Sequence, residues 1–286
     1  MDITYTNKLG TVRMSGHGRK NAWRIIEISG IGFPKKTFKY NTFAGIYGQE
    51  LAAVEISSRT ITIKGEIPKD SQDAQSMANV MRIFNTDGEL RIQTGKKIRK
   101  AKARISDFQP EQRKSIFKTF TLQLVLDNPF FFGDSPVSVS VYKRVPLLAS
   151  SFTFPMEFSR RVMSAAIVNS GDVPAEPIIT IKKIASSKTE SDNSIALTLA
   201  LGTEYTSTVT LNHTIIAGET VVLDIPNRKV TSNISGNIIG SISEDTVLSD
   251  FVIPPGVGMV SVDTVDTGLS VVCEFNNQYV EASHDE

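Results

Sequence analysis

The chain has 286 residues, 40% hydrophobic and 21% charged, with a net charge of +1. No apolar run reaches the roughly 18 residues of a membrane helix, and a single cysteine, Cys273, excludes an intrachain disulfide. The length suits two domains, each large enough for its own core. Charge divides unevenly between them: residues 1–135 hold 22 Lys+Arg against 13 Asp+Glu, and residues 136–286 hold 9 against 17. Such a split suits domains with different partners, or head-to-tail association of unlike surfaces.

The opening, MDITYTNKLG, lacks the apolar segment of a secretory signal, so synthesis and retention in a cytosol are expected. Period-2 patterning then dominates. Ile61, Ile63 and Ile67 alternate with polar residues, as do Phe120, Leu122, Leu124 and Leu126. One segment differs. Asp70-Ser71 can cap a helix through Phe84, with Ala74, Met77, Val80, Met81 and Phe84 as its apolar stripe. A helix over about 71–84 can plug or flank a small barrel or sheet.

Next comes a basic run containing Lys96, Lys97, Arg99, Lys100, Lys102 and Arg104. Neither parity is cleanly apolar. It reads as a solvated edge strand whose charges block unwanted strand pairing, or as an assembly surface for an acidic partner or nucleic acid. It lacks the interleaved aromatics of a single-strand binder. The strand ending at Leu126 stops at Asn128-Pro129, since proline cannot continue a central strand. Phe130, Phe131 and Phe132 follow. Three adjacent aromatics cannot share one strand face, so at least one is expected to pack between the domains. Gly133 to Pro136 is the expected linker.

Residues 136–286 carry short strands at regular spacing: Ile178 to Ile181, Leu197 to Leu201, Val221 to Ile225 and Leu269 to Phe275. This reads as a β-sandwich, with Cys273 a core thiol and Ala282 to Glu286 a frayed end. The expected class is mainly β: a barrel or sheet domain with one helix over 1–135, and a sandwich over 136–286.

Convergent chemistry is missing. His17, His213 and His284 have no metal-ligand spacing, one cysteine cannot build a zinc set, and no Gly-x-Ser-x-Gly elbow occurs. The expectation is a non-enzyme with no catalytic residues, no metal and no cofactor.

Several motifs, in order, resemble the distal tail proteins of long-tailed bacteriophages. They are Ile28-Ser-Gly30-Ile-Gly32, Gly45 to Gly48, the "R-x-I-x-I-x-G" strand from Arg59 to Gly65, and Lys118 running to Asn128-Pro129-Phe130-Phe131. Asn169-Ser-Gly171 with Pro177, and Ile253-Pro-Pro-Gly256, continue the match. The resemblance implies a galectin-like second domain and a ring, of six copies, built from the first. The ring would join the tail tube protein to a tail-associated adhesion or lysin protein, at the tail tip of a virion made in a bacterial cytoplasm. DNA would cross its lumen only as a passing polymer. The second half lacks an insertion long enough to be the arm with which some members grip receptor-binding proteins, so that clamping is not expected. The alternative is a carbohydrate-binding attachment module, for which the second half offers only Tyr142, Tyr205, Tyr279 and a few Phe as stacking platforms.

Overall fold

The structure, a computed structural model, describes residues 1–16, 23–45, 47–68, 77–111, 117–146, 159–184, 194–201, 205–264 and 268–282. It divides into two compact units, Met1–Asp134 with Tyr279–Glu286, and Ser135–Gln278. The last residues, expected with the sandwich, therefore belong to the first unit.

In the first unit, alternating apolar residues build β1 (Asp2–Asn7), β2 (Gly10–Ser15), β3 (Trp23–Ser29), β4 (Lys36–Asn41), β5 (Glu50–Ile56) and β6 (Arg59–Pro68). Helix α1 (Met77–Phe84) follows, then β7 (Gly88–Thr94), β8 (Lys97–Glu111), β9 (Phe117–Leu126) and β10 (Phe131–Phe132). Seven of these strands close into a barrel in the order β8–β7–β1–β2–β3–β6–β9, with β9 pairing back onto β8. The β2–β3 pair is parallel, whereas β6 and β9 form a long antiparallel ladder from Arg59↔Leu126 to Pro68↔Phe117. Closure removes sheet edges, the usual sites of unwanted pairing.

Inward residues fill the barrel: Ile3, Tyr5, Ile61, Ile63, Leu90, Leu122 and Leu124 are all fully buried. Each such side chain contributes about 1.5–3 kcal/mol relative to exposure. Helix α1 buries Val80, Ile83 and Phe84. Met81, expected in the stripe, is exposed, and Ile83 takes the buried position. The expected cap at Asp70-Ser71 and the first helical residues lie outside the described residues. Phe84 joins an aromatic cluster with Tyr5, Trp23 and Phe108, at ring separations of 5.0–6.0 Å.

The second unit contains β11 (Val137–Pro146), β12 (Ser159–Val162), β13 (Ser164–Asn169), β14 (Ile178–Lys183), β15 (Ser194–Leu201) and β16 (Tyr205–Asn212). It continues with β17 (Thr220–Asp224), β18 (Lys229–Ser232), β19 (Gly236–Asn237), β20 (Gly256–Asp263) and β21 (Leu269–Phe275). A final short strand, β22 (Gln278–Tyr279), adds next to β10. One sheet runs β12–β11–β21–β14–β17–β18–β19, the other β13–β20–β15–β16. Their inner faces share one core, including Ile179, Leu223, Val271 and Cys273 from the first sheet and Ile167, Leu197, Val209 and Val260 from the second. Burial pushes the Cys273 thiol up to about 12, leaving it inert as a nucleophile.

Candidate assembly surfaces

The most chemical-looking cluster lies in the second unit. The Glu219 carboxylate is almost fully buried and accepts hydrogen bonds from the Ser232 hydroxyl, from His213 Nε2–H at 2.9 Å, and from the Ile216 N–H at 2.9 Å. Burial raises its pKa, but these three donors outweigh it and hold the carboxyl below its usual range. Ser232 Oγ also accepts from the backbone N–H groups of Ile234 and Ser235. The imidazole therefore faces the carboxylate and leaves the hydroxyl unactivated, so the set pins two turns together rather than preparing a nucleophile. Among the described residues no group of three His, Cys, Asp or Glu could hold a metal ion. His17 and His284 lie outside the described residues.

The basic run occupies the turn before β8 and the first half of that strand. It is not an edge. Residues 97–103 pair with β7, Lys100 pairs with Phe132 of β10, and Arg104 onward pairs with β9. Ala101 and Ala103 supply the buried parity, which small side chains conceal in the sequence. The cations meet partners within their own unit. Arg104 bridges Asp87 at 3.0 Å and Asp127 at 3.2 Å, and Lys100 reaches Asp134 at 2.7 Å. That bond holds the Asp134 carboxyl below its usual range. Arg99 stacks on the Tyr279 ring, 3.4 Å from its centroid. A cavity of about 340 Å³ beside the strand is lined by Asp87, Glu89, Lys102, Arg104 and Asp127, a mixed-charge wall without a net basic field. Lys96, Lys97 and Lys102 are exposed.

The aromatic triplet takes a different place from the expected one. Phe131 is fully buried in the core of the first unit, while Phe130 and Phe132 are half-buried. Above the Phe131 ring, at 4.6 Å, lies the guanidinium of Arg59. Arg59 is itself buried and donates to the carbonyls of Val280 at 2.7 Å and Gly30 at 3.5 Å. No carboxylate appears among its partners, and burial pushes its pKa down to about 10. Arg59 thus ties the returning C-terminal strand to the barrel. Ala282, expected to be frayed, is buried there, its N–H donating to the Ile31 carbonyl at 3.0 Å.

One surface escaped the sequence reading. Strands β4 and β5 form a separate two-stranded sheet in which every residue is exposed. It is inserted between β3 and β6, which are themselves neighbours in the barrel. The alternation in Lys36–Asn41 and the glycines at 45 and 48 were its available signal.

No family model matches the sequence, and no curated protein matches it. Among solved structures, the SPP1 Dit protein, a paradigm of the hub adsorption apparatus in phages infecting Gram-positive hosts, is similar at 13% identity. The likeness has a TM-score of 0.61 and covers 90% of this chain and 93% of that one. The fold is that of a phage hub protein. Structures of the phage P2 baseplate in its activated conformation are also similar. With Ca the identity is 12%, the TM-score 0.46 and the coverage 96% of this chain and 97% of that one. With Sr the TM-score is 0.44 at the same identity and coverage.

Within this hub fold the sequence motifs have structural roles. Ile61 and Ile63 of the Arg59 strand fill the barrel, and a Cβ at Gly65 would lie 2.2 Å from the Arg24 carbonyl oxygen and 2.7 Å from the Phe120 ring. Gly30 adopts φ +84° and admits the Thr60 carbonyl where a Cβ would stand. In the sandwich, Asn169 donates to the carbonyls of Ile253 at 2.8 Å and Val173 at 3.1 Å, and accepts from the Gly171 N–H at 2.9 Å. These residues hold strands and turns and present no group to a ligand.

Proposed function

We propose that the chain is a structural hub protein of a phage tail tip, assembling as a ring, of six copies, from its barrel unit. The likeness to the SPP1 Dit fold across both units carries this reading. The ring joins the tail tube protein to an adhesion or lysin protein and passes DNA through its lumen as an unread polymer. The protein acts without enzymatic chemistry in the virion and is made in the bacterial cytoplasm. Lys96, Lys97 and Lys102 of the basic run extend outward as a contact for an acidic neighbouring protein. Their internally balanced surroundings on β8 support a protein contact over a DNA-binding stripe.

The test is the mass of the full chain by native mass spectrometry, together with antibody labelling of purified virions. A six-copy species and tail-tip labelling are expected. A strict monomer absent from virions overturns the reading. Glycan binding by the sandwich gains no support: Tyr142 is buried and the Tyr279 ring is covered by Arg99. Tyr205, the third platform considered, has a side chain outside the described set.

A further inference from the structure

The β4–β5 hairpin is amphipathic, and its apolar face meets nothing in its own sheet. Cross-strand pairing sets Phe38 opposite Val54, Tyr40 opposite Leu51, and Lys36 opposite Ile56. The intervening pairs, Thr37↔Glu55, Lys39↔Ala53 and Asn41↔Glu50, form the other, polar face. A bulge makes this segregation. The register shifts between Lys39 and Tyr40, moving Leu51 onto the face of Val54 and Ile56. Without the shift, strict alternation along β5 would put Ala52 and Glu50 on that face instead. On the polar face Lys39 pairs with Glu55. The backbone is thus arranged to gather Phe38, Tyr40, Leu51, Val54 and Ile56 on one side of a ribbon two strands wide.

These five residues are 50, 52, 50, 45 and 37% exposed. Taking roughly 200 Å² for a large side chain, they leave on the order of 450 Å² of apolar surface in water. Phe33 just before the hairpin, with Phe43 and Tyr47 in its connection, are 63, 48 and 104% exposed. Together the eight present on the order of 900 Å², beyond the roughly 300–600 Å² of the largest patch on a typical monomer. That total matches the roughly 800 Å² that each partner contributes to a standard stable interface. A lone two-stranded ribbon is also marginal in water and gains stability from a covering layer.

We infer that the apolar face of the β4–β5 hairpin is the subunit contact, docking onto a second copy of this chain. The area argument selects a stable protein partner. The near absence of charge on the face, with Lys36 its one ionic group, disfavours a strongly charged partner. This inference rests on the oligomeric reading proposed above and names the element that makes the contact. A ring needs a heterologous contact, in which one patch of each copy enters a different patch of the next. A projecting ribbon suits the entering role.

The test compares the full-length wild type with two double variants across a dilution series, by native mass spectrometry and light scattering. Phe38→Ser with Val54→Ser alters the apolar face, and Lys39→Ser with Glu55→Ser alters the polar face. The apolar-face variant should raise the concentration for half-assembly by about tenfold or more, while the polar-face variant assembles like wild type. Thermal melting of dilute samples, run in parallel, should be unchanged for both. Wild-type hydrogen exchange gives a second readout that needs no variant: amides at 38–40 and 51–54 should gain protection as concentration rises. An apolar-face variant that assembles like wild type, or exchange independent of concentration in an assembling protein, overturns the inference and leaves the ring reading intact. A wild type that stays monomeric at every concentration overturns the ring reading and this inference with it.

Discussion

Strand β8 and the β4–β5 hairpin sit in the same unit and treat their distinctive side chains in opposite ways. The cations of β8 are conspicuous in the sequence, yet Arg104, Lys100 and Arg99 meet Asp87, Asp127, Asp134 and Tyr279 of their own unit. The hairpin reads as an ordinary pair of short strands, yet it exposes aromatic and aliphatic side chains in a continuous row. Charge density along a chain is therefore a poor guide to an interface when carboxylates converge from other strands. Apolar exposure is a better guide, but it is defined only once the fold has decided which faces are covered.

The sharpest way to break that contrast is to place the same charge in both elements. Ala103→Asp puts an unpaired carboxylate into the barrel wall, where Ala103 is 3% exposed, and should cost about 3–5 kcal/mol or prevent folding. Val54→Asp on the hairpin should change monomer stability by less than about 0.5 kcal/mol. Denaturant unfolding of dilute protein measures both. Comparable losses would mean that the hairpin packs within its own chain.

Arg59→Met should have the next largest effect. It removes the donors to the Val280 and Gly30 carbonyls and the cation over Phe131. A loss of about 1–3 kcal/mol is expected, with faster hydrogen exchange confined at first to 279–282. Uniformly faster exchange would show that Arg59 supports the whole barrel and not the return of the chain end.

The buried anion of the second unit offers a pH counterpart. Glu219 has a folded pKa below its unfolded value of about 4.3. Its contribution is fully present above that unfolded value and is lost as pH falls through the lower folded one. Calorimetry across an acid series should show a shallower decline for Glu219→Gln than for wild type. Parallel declines would refute a role for the carboxylate. Arg104→Ser should matter least, because both its ion pairs are exposed. A slight fall in melting temperature at low salt should vanish at high salt.

Much of the strand content was legible because burial of one sheet face imposes a period of two on the residues themselves. Ile61, Ile63, Leu122 and Leu124 alternate in the sequence and line the barrel in the structure. The helix was legible for a similar reason, although Ile83 and Met81 exchanged roles, since a stripe's edge depends on which neighbour lies beside it. Residues of the Arg59, Gly65 and Asn169 motifs could be singled out but not explained. Their contacts lie far along the chain, as between Arg59 and Val280 or Asn169 and Ile253. Three features resisted sequence reasoning: the full pairing of β8, the burial of Phe131 under Arg59, and the single-residue bulge that sorts the hairpin's faces. Pairing partners, buried cations and register shifts are properties of two strands at once.

The sequence by itself determined the mainly β character, the position of the helix, the core thiol at Cys273 and the scarcity of convergent chemistry, because each follows from local periodicity and composition. Tertiary structure alone decided that the barrel closes, that residues 279–282 return to it, and that the basic strand is balanced while the hairpin is left bare. The physical reason is that burial and charge compensation are set by distant segments brought together, and no window of the chain contains both members of the pair.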